Sequence, residues 1–132
     1  MEFNNGAQTV MTVPGRQVIV SAGKGKTNIE ELRWLTNTVL QNARAWKATG
    51  WAYVADCSSM EPVSMEESQE LITMTKAFVD NGCKAFGFAE GSSIMLKVQT
   101  QQNTQMSKTG IPEGHFATVD EALNWVKEDV NL

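Results

Sequence analysis

The sequence predicts an α/β fold, a mixed β-sheet that opens with an N-terminal hairpin and carries about four packed helices. Three observations lead there. Two short β-type runs near the start flank the turn dipeptide Pro14-Gly15; later segments draw helical apolar stripes behind capping signals; and short apolar runs of strand length fall between those helices. Helices that separate strands call for parallel crossovers, whereas the hairpin adds an antiparallel edge. The 132 residues, 42% hydrophobic and 20% charged, suit one globular domain over 1–132.

In chain order, Gln8 to Val13 and Gln17 to Ser21 form the hairpin. Gly23-Lys24-Gly25-Lys26 then releases the chain into Thr27-Asn28-Ile29-Glu30, with Thr27 and Glu30 as a capping box. Ile29, Leu32, Leu35, Val39, Ala43 and Trp46 recur at steps of three and four, predicting a helix from about Asn28 to Thr49, ended by Gly50. Trp51 to Ala55 reads as a buried central strand closed by Asp56. After Pro62, Ser64 caps a second helix with Glu67 three residues on; Leu71, Ile72, Thr75, Phe78 and Val79 form its stripe, and Asn81-Gly82 ends it. Ala85 to Phe88 is the next strand. A weaker helix starts near Ser92, and its apolar start (Ile94, Met95, Leu96, Val98) fades into Gln99 to Gln105, which predicts a one-sided, exposed helix. Gly110 to Gly114 is a loop and His115 to Ala117 a short strand. A third box, Thr118 to Glu121, opens a last helix that buries Ala122, Leu123, Trp125, Val126 and Val130.

Several function classes are disfavoured at once. A formal charge of -4 gives no general excess of cations to neutralise phosphates, which argues against nucleic acid as a partner. Glu2, Asn4 and Asn5 do not resemble a basic targeting stretch, and no apolar run approaches the ~20 residues of a membrane span, so the expected location is cytoplasmic. Cys57 and Cys83 are expected to be free thiols, because they fall beyond the end of one strand and before the start of the next, at opposite edges of the sheet.

The element order resembles the STAS-like fold of bacterial anti-sigma factor antagonists and their SpoIIAA-like relatives, over essentially the whole chain. Tyr53-Val54-Ala55-Asp56-Cys57-Ser58-Ser59-Met60-Glu61 is similar to that family's strand and regulatory loop, and Phe116 to Leu123 to its last strand and final helix. The resemblance implies a non-enzymatic regulatory domain that binds a protein partner. The family's loop reads roughly Asp-x-Ser-x-Met-Asp-Ser-Ser-Gly, and its phosphorylatable serine falls on Val63 here. Pro62 replaces the other serine of the pair and Ser64 the glycine, so the usual phosphorylatable serine is lacking. More distant members of the fold are similar to lipid-binding CRAL-TRIO domains, which implies a second role as carrier or sensor of a small apolar or lipid-like ligand.

From the residues themselves, Asp56, Ser58, Ser59, Met60, Glu61 and Ser64 gather where a parallel strand ends and a helix begins, the region where open α/β sheets place ligands. These six are the expected partner-binding or regulatory residues, although capping and loop hydrogen bonds would account for Asp56 and the serines equally well. Phosphorylation of Ser64 would place charge at a helix N-terminus. Other motifs carry less. Gly23 to Thr27 precedes a capped helix, yet a phosphate-binding loop needs glycine where Val20 stands, so no nucleotide cofactor is expected. Cys57 has only His115 as a base, with no orienting third group, so no catalytic residue is assigned. Glu61, Glu66, Glu67 and Glu70 lack calcium-type spacing and suit a helix start, so no metal is expected. Trp34, Met60, Met65 and Met74 either belong to the core and its rim or mark a contact patch, and a homodimer through a helical face stays open.

Overall fold

The computed structural model describes residues 2–132. Its six strands are β1 (Glu2–Asn4), β2 (Gln8–Thr12), β3 (Val18–Gly25), β4 (Trp51–Met60), β5 (Cys83–Ala89) and β6 (Glu113–Phe116), and its helices are α1 (Ile29–Ala43), α2 (Met65–Asp80), α3 (Ile94–Ser107) and α4 (Val119–Trp125). They form one sheet in the order β1-β2-β3-β4-β5-β6. The β1-β2 and β2-β3 pairs are antiparallel; β3, β4, β5 and β6 run parallel, so each of α1, α2 and α3 is a crossover between neighbouring strands.

Side-chain alternation along the central strands divides the core in two. Trp51 and Tyr53 join Ile19, Phe86 and Phe88 against Leu32, Leu35 and Val39 of α1 and Met74 and Phe78 of α2. The residues between them, Ala52 and Val54, join Val18, Val20 and Ala85 against Ala122 and Val126 of α4. Both faces of β4 are covered, which is why Trp51 to Ala55 reads as an unbroken apolar run. Phe78 meets Trp51 and Tyr53 edge-on, with ring centroids 5.5 and 4.9 Å apart. Arg16, just past the hairpin turn, donates from Nε to the Leu132 carbonyl and from Nη2 to that of Leu123, tying the hairpin to the α4 end of the chain.

The mixed sheet, the hairpin and the four helices are as expected; several boundaries differ. The edge strand β1 was not anticipated, being three residues long. The cap of α1 is Asn28, with Glu31 completing its box, while Thr27 is buried and accepts from Gln8 Nε2 at 3.1 Å. The helix ends at Ala43 and passes through a 3₁₀ turn at Arg44–Trp46 instead of reaching Thr49. Gly23 to Lys26 is no loose connector: β3 continues to Gly25, where Lys24 and Gly25 pair with Ser59 and Met60 of β4. Gly23 sits in close quarters, since a Cβ there would lie 2.8 Å from Gln8 Oε1 and 3.0 Å from Met60 Sδ, two side-chain ends that would have to shift. For the same reason β4 runs to Met60 and does not close at Asp56; past a register shift opposite Gly23, Ser59 and Met60 rejoin the ladder with β3. The last strand starts at Glu113, two residues before the expected His115. The final helix passes into a π-helical turn at Val126–Val130; Ala122 and Val126 are buried, and Leu123, Trp125 and Val130 are half-buried.

Candidate functional site

The extension of β4 changes the character of the predicted loop. Asp56, Cys57, Ser58, Ser59 and Met60 are strand, and only residues 61–63 form the connection to α2. Asp56 and Met60 are half-buried, whereas Ser58, Ser59, Glu61 and Ser64 are exposed. Asp56 Oδ1 accepts from the Ser58 hydroxyl at 2.6 Å and from its amide at 3.1 Å, so these two form one local unit, which borders a groove with Ala117, Thr118 and Asp120. The Glu61 amide donates to the Gly25 carbonyl, continuing the ladder one residue past the strand. Val63 is clamped from α3: its amide donates to Gln99 Oε1 and its carbonyl accepts from Gln99 Nε2, both at 3.1 Å. Ser64 caps α2 with Glu67 in a reciprocal box. The six candidate residues therefore lie along one braced ridge from β4 to α2 and do not converge on a point. At its far end Met65 is 92% exposed, while Met74 is in the core, Met60 half-buried and Trp34 packed on the core edge.

Beneath this ridge, between the sheet and α1, α2 and α3, lies an apolar cavity of about 70 Å³. Leu32, Leu35, Leu71, Met74 and Phe88 line it, Met60 and Cys57 reach it from β4, and Asn103 and Thr104 reach it from α3. The hydroxyls of Ser21 and Tyr53 on its floor are 2.5 Å apart. Burial pushes the Tyr53 phenol above its ordinary range, so it stays neutral.

A second polar cluster escaped the sequence reading. Glu90, at the end of β5, is 3% exposed, and its Oε2 lies 2.9 Å from His115 Nδ1; the other ring nitrogen of His115 lies 2.5 Å from Glu113 Oε2. The imidazole stacks on Phe88 at 5.3 Å. Two hydroxyls of α3 complete the row, Thr100 donating to Glu90 and Thr104 to Glu113 at 2.7 Å. Signals for it were present: Glu113 and His115 are two apart and share a face of β6, Thr100 and Thr104 are four apart and share a face of α3, and a glutamate directly follows the apolar run of β5. This row explains why α3 buries Thr104 although its exposed side carries Ile94, Met95 and Met106.

Neither cysteine is built for nucleophilic chemistry. Cys57 lies within β4, not beyond it as expected; burial first, then the charges of Glu90 and Asp56, pushes its thiol up to about 12. Cys83 opens β5, and burial pushes its thiol up to about 12 as well. Both are free thiols, and they lie near opposite ends of adjacent strands, since Cys83 pairs with Trp51. Among the described residues no group of three His, Cys, Asp or Glu side chains is arranged to hold a metal ion, and no helix is long and apolar enough to cross a membrane.

No family model matches the sequence, and a search of curated proteins gives no match. Solved structures do match. An anti-sigma factor antagonist from Mycobacterium paratuberculosis superposes with a TM-score of 0.59 at 19% identity, and an uncharacterised protein with a SpoIIAA-like fold from Shewanella loihica with a TM-score of 0.68 at 12% identity. Each comparison covers 95% of this chain and 98% of the other. At these identities the likeness is one of fold, and the fold of this chain is the STAS-like, SpoIIAA-like one.

Proposed function

We propose that this SpoIIAA-like fold serves as a non-enzymatic, cytoplasmic interaction module whose ridge from Ser58 to Met65 docks a protein partner. The observation that carries the reading is that the ridge is exposed and yet braced: β3 holds one side through the ladder, and Gln99 of α3 clamps Val63 from the other. A surface ordered before contact loses little conformational freedom on binding. Its exposed carboxylates, Glu61 and Glu66, favour a partner with a basic contact face. The anti-sigma factor antagonist among the structural neighbours supports a partner-binding role, and two thiols pushed up to about 12 give no support to thiol catalysis. Phosphorylation of Ser64 would add charge at the first turn of α2 beside Glu66 and Glu67, weakening the cap by like-charge repulsion.

The test is affinity capture with wild type beside a folded Ser59→Arg/Glu61→Lys variant. A partner held by wild type and released by the variant supports the docking surface. A partner held equally by both removes it.

A second reading, a carrier or sensor of a small apolar ligand, is favoured by the cavity beneath α3. Its signature is thermal stabilisation by a ligand bound in that cavity. Loss of that stabilisation in Ala55→Leu, which fills the space, distinguishes cavity binding from surface adsorption.

A further inference from the structure

Resting on the ligand reading just given, we propose that the cavity takes a short, uncharged and mostly apolar molecule with one hydrogen-bonding head, and that the Asn103 amide recognises that head. Most polar side chains that reach the cavity are already satisfied within the protein. Ser21 and Tyr53 bond to each other, Thr75 donates to the Ile72 carbonyl, Thr104 donates to Glu113 and Thr100 to Glu90. Asn103 differs: it is 8% exposed, it lines the cavity, and its side-chain amide makes no hydrogen bond to any described residue. Among the described residues no sealed-in side-chain nitrogen or oxygen lacks a partner, so this amide keeps some accessible surface, and the residue that carries it lines the cavity. Gln8 Oε1 is another unspent acceptor there, its Nε2 being engaged by Thr27. Asparagine is a poor choice inside a helix, where its side chain competes for the backbone, so helix formation does not account for it. A ligand group that pairs with this amide replaces the water it otherwise meets, and a ligand without such a group forfeits that bond.

The remaining chemistry narrows the ligand. Among the described residues no Lys, Arg or His lines the cavity and Asp56 is its only charged one, so an anionic head finds no counter-charge. At about 70 Å³ the space is roughly half that of the ~150 Å³ cavity known to admit benzene, which suits a molecule of a few heavy atoms and excludes a long acyl chain in this conformation.

Titration followed by amide chemical shifts tests this with three probes that share one isobutyl body: isopentane, isobutanol and isovalerate. Isobutanol is expected to bind wild type and to weaken about 3- to 10-fold in Asn103→Leu, with isopentane changing less than about 2-fold, and isovalerate is expected to bind more weakly than isobutanol. Asn103→Ala serves in the same comparison if the leucine variant does not fold. If Asn103→Leu leaves isobutanol unchanged or weakens both neutral probes alike, or if isovalerate binds as tightly as isobutanol, the head-group assignment is overturned and the ligand reading survives. If none of the probes binds wild type, both fall.

Discussion

The two thiols state most clearly what this interior allows. Burial raises both from the ordinary value of 9.0 to about 12, so at neutral pH neither holds thiolate. The first prediction is kinetic: a thiol reagent at pH 7 modifies Cys57 and Cys83 far more slowly in the native protein than in urea. The second concerns pH. With folded values above unfolded ones, this contribution to stability is fully present below about 9 and is lost as pH rises from 9 towards 12, because the unfolded chain releases protons that the folded one keeps. Urea midpoints across that range check it, and a flat profile contradicts it. At the other polar cluster, removing the imidazole leaves Glu90, at 3% exposure, with the Thr100 hydroxyl as its remaining side-chain partner. His115→Ala should cost about 3 kcal/mol in urea unfolding, while Glu90→Gln/His115→Ala, which replaces the under-partnered carboxyl by an amide, should recover part of that loss.

At the level of elements, the caps are the sharpest point of comparison. Asn28→Ala and Ser64→Ala each remove one half of a reciprocal box and should each lower stability by about 1 kcal/mol in urea unfolding. The Ser64 cap was legible because Pro62 and the following stripe fix the phase of α2. The α1 cap was misread by one residue, since Thr27-Asn28 and Glu30-Glu31 offer two overlapping boxes and only the burial of Thr27 against Gln8 decides between them. Helices, hairpin and central strands were legible because their apolar spacing states which faces are covered. The strand ends were not. Cys57-Ser58-Ser59 and Gly23-Lys24-Gly25 have weak strand propensity, and each is extended through its ladder with the other, which is a non-local cause. The polar face of α3 was equally illegible, because Thr100 and Thr104 acquire a reason to be buried only once Glu90 and Glu113 are brought beneath them.

At the scale of the whole molecule, the order of elements carried the fold, and the structural neighbours bear out the STAS-like reading. The site was half legible. Its residues were named from their place between a strand and a capped helix, but the clamp by Gln99 and the cavity beneath depend on α3 packing back over residues some forty positions earlier, which no local pattern announces. The two-layered core also ranks substitutions: Phe78→Ala, which removes the ring lodged against Trp51 and Tyr53, should cost about 3–5 kcal/mol, more than Val126→Ala on the thinner α4 side. The central claim, that the ridge from β4 to α2 is the docking surface, is tested most directly by amide hydrogen exchange with and without the captured partner. Added protection is expected over residues 58–66, with α4 and the β1-β2 edge unchanged; protection confined to those other surfaces, with 58–66 unaltered, would mean that the partner docks elsewhere.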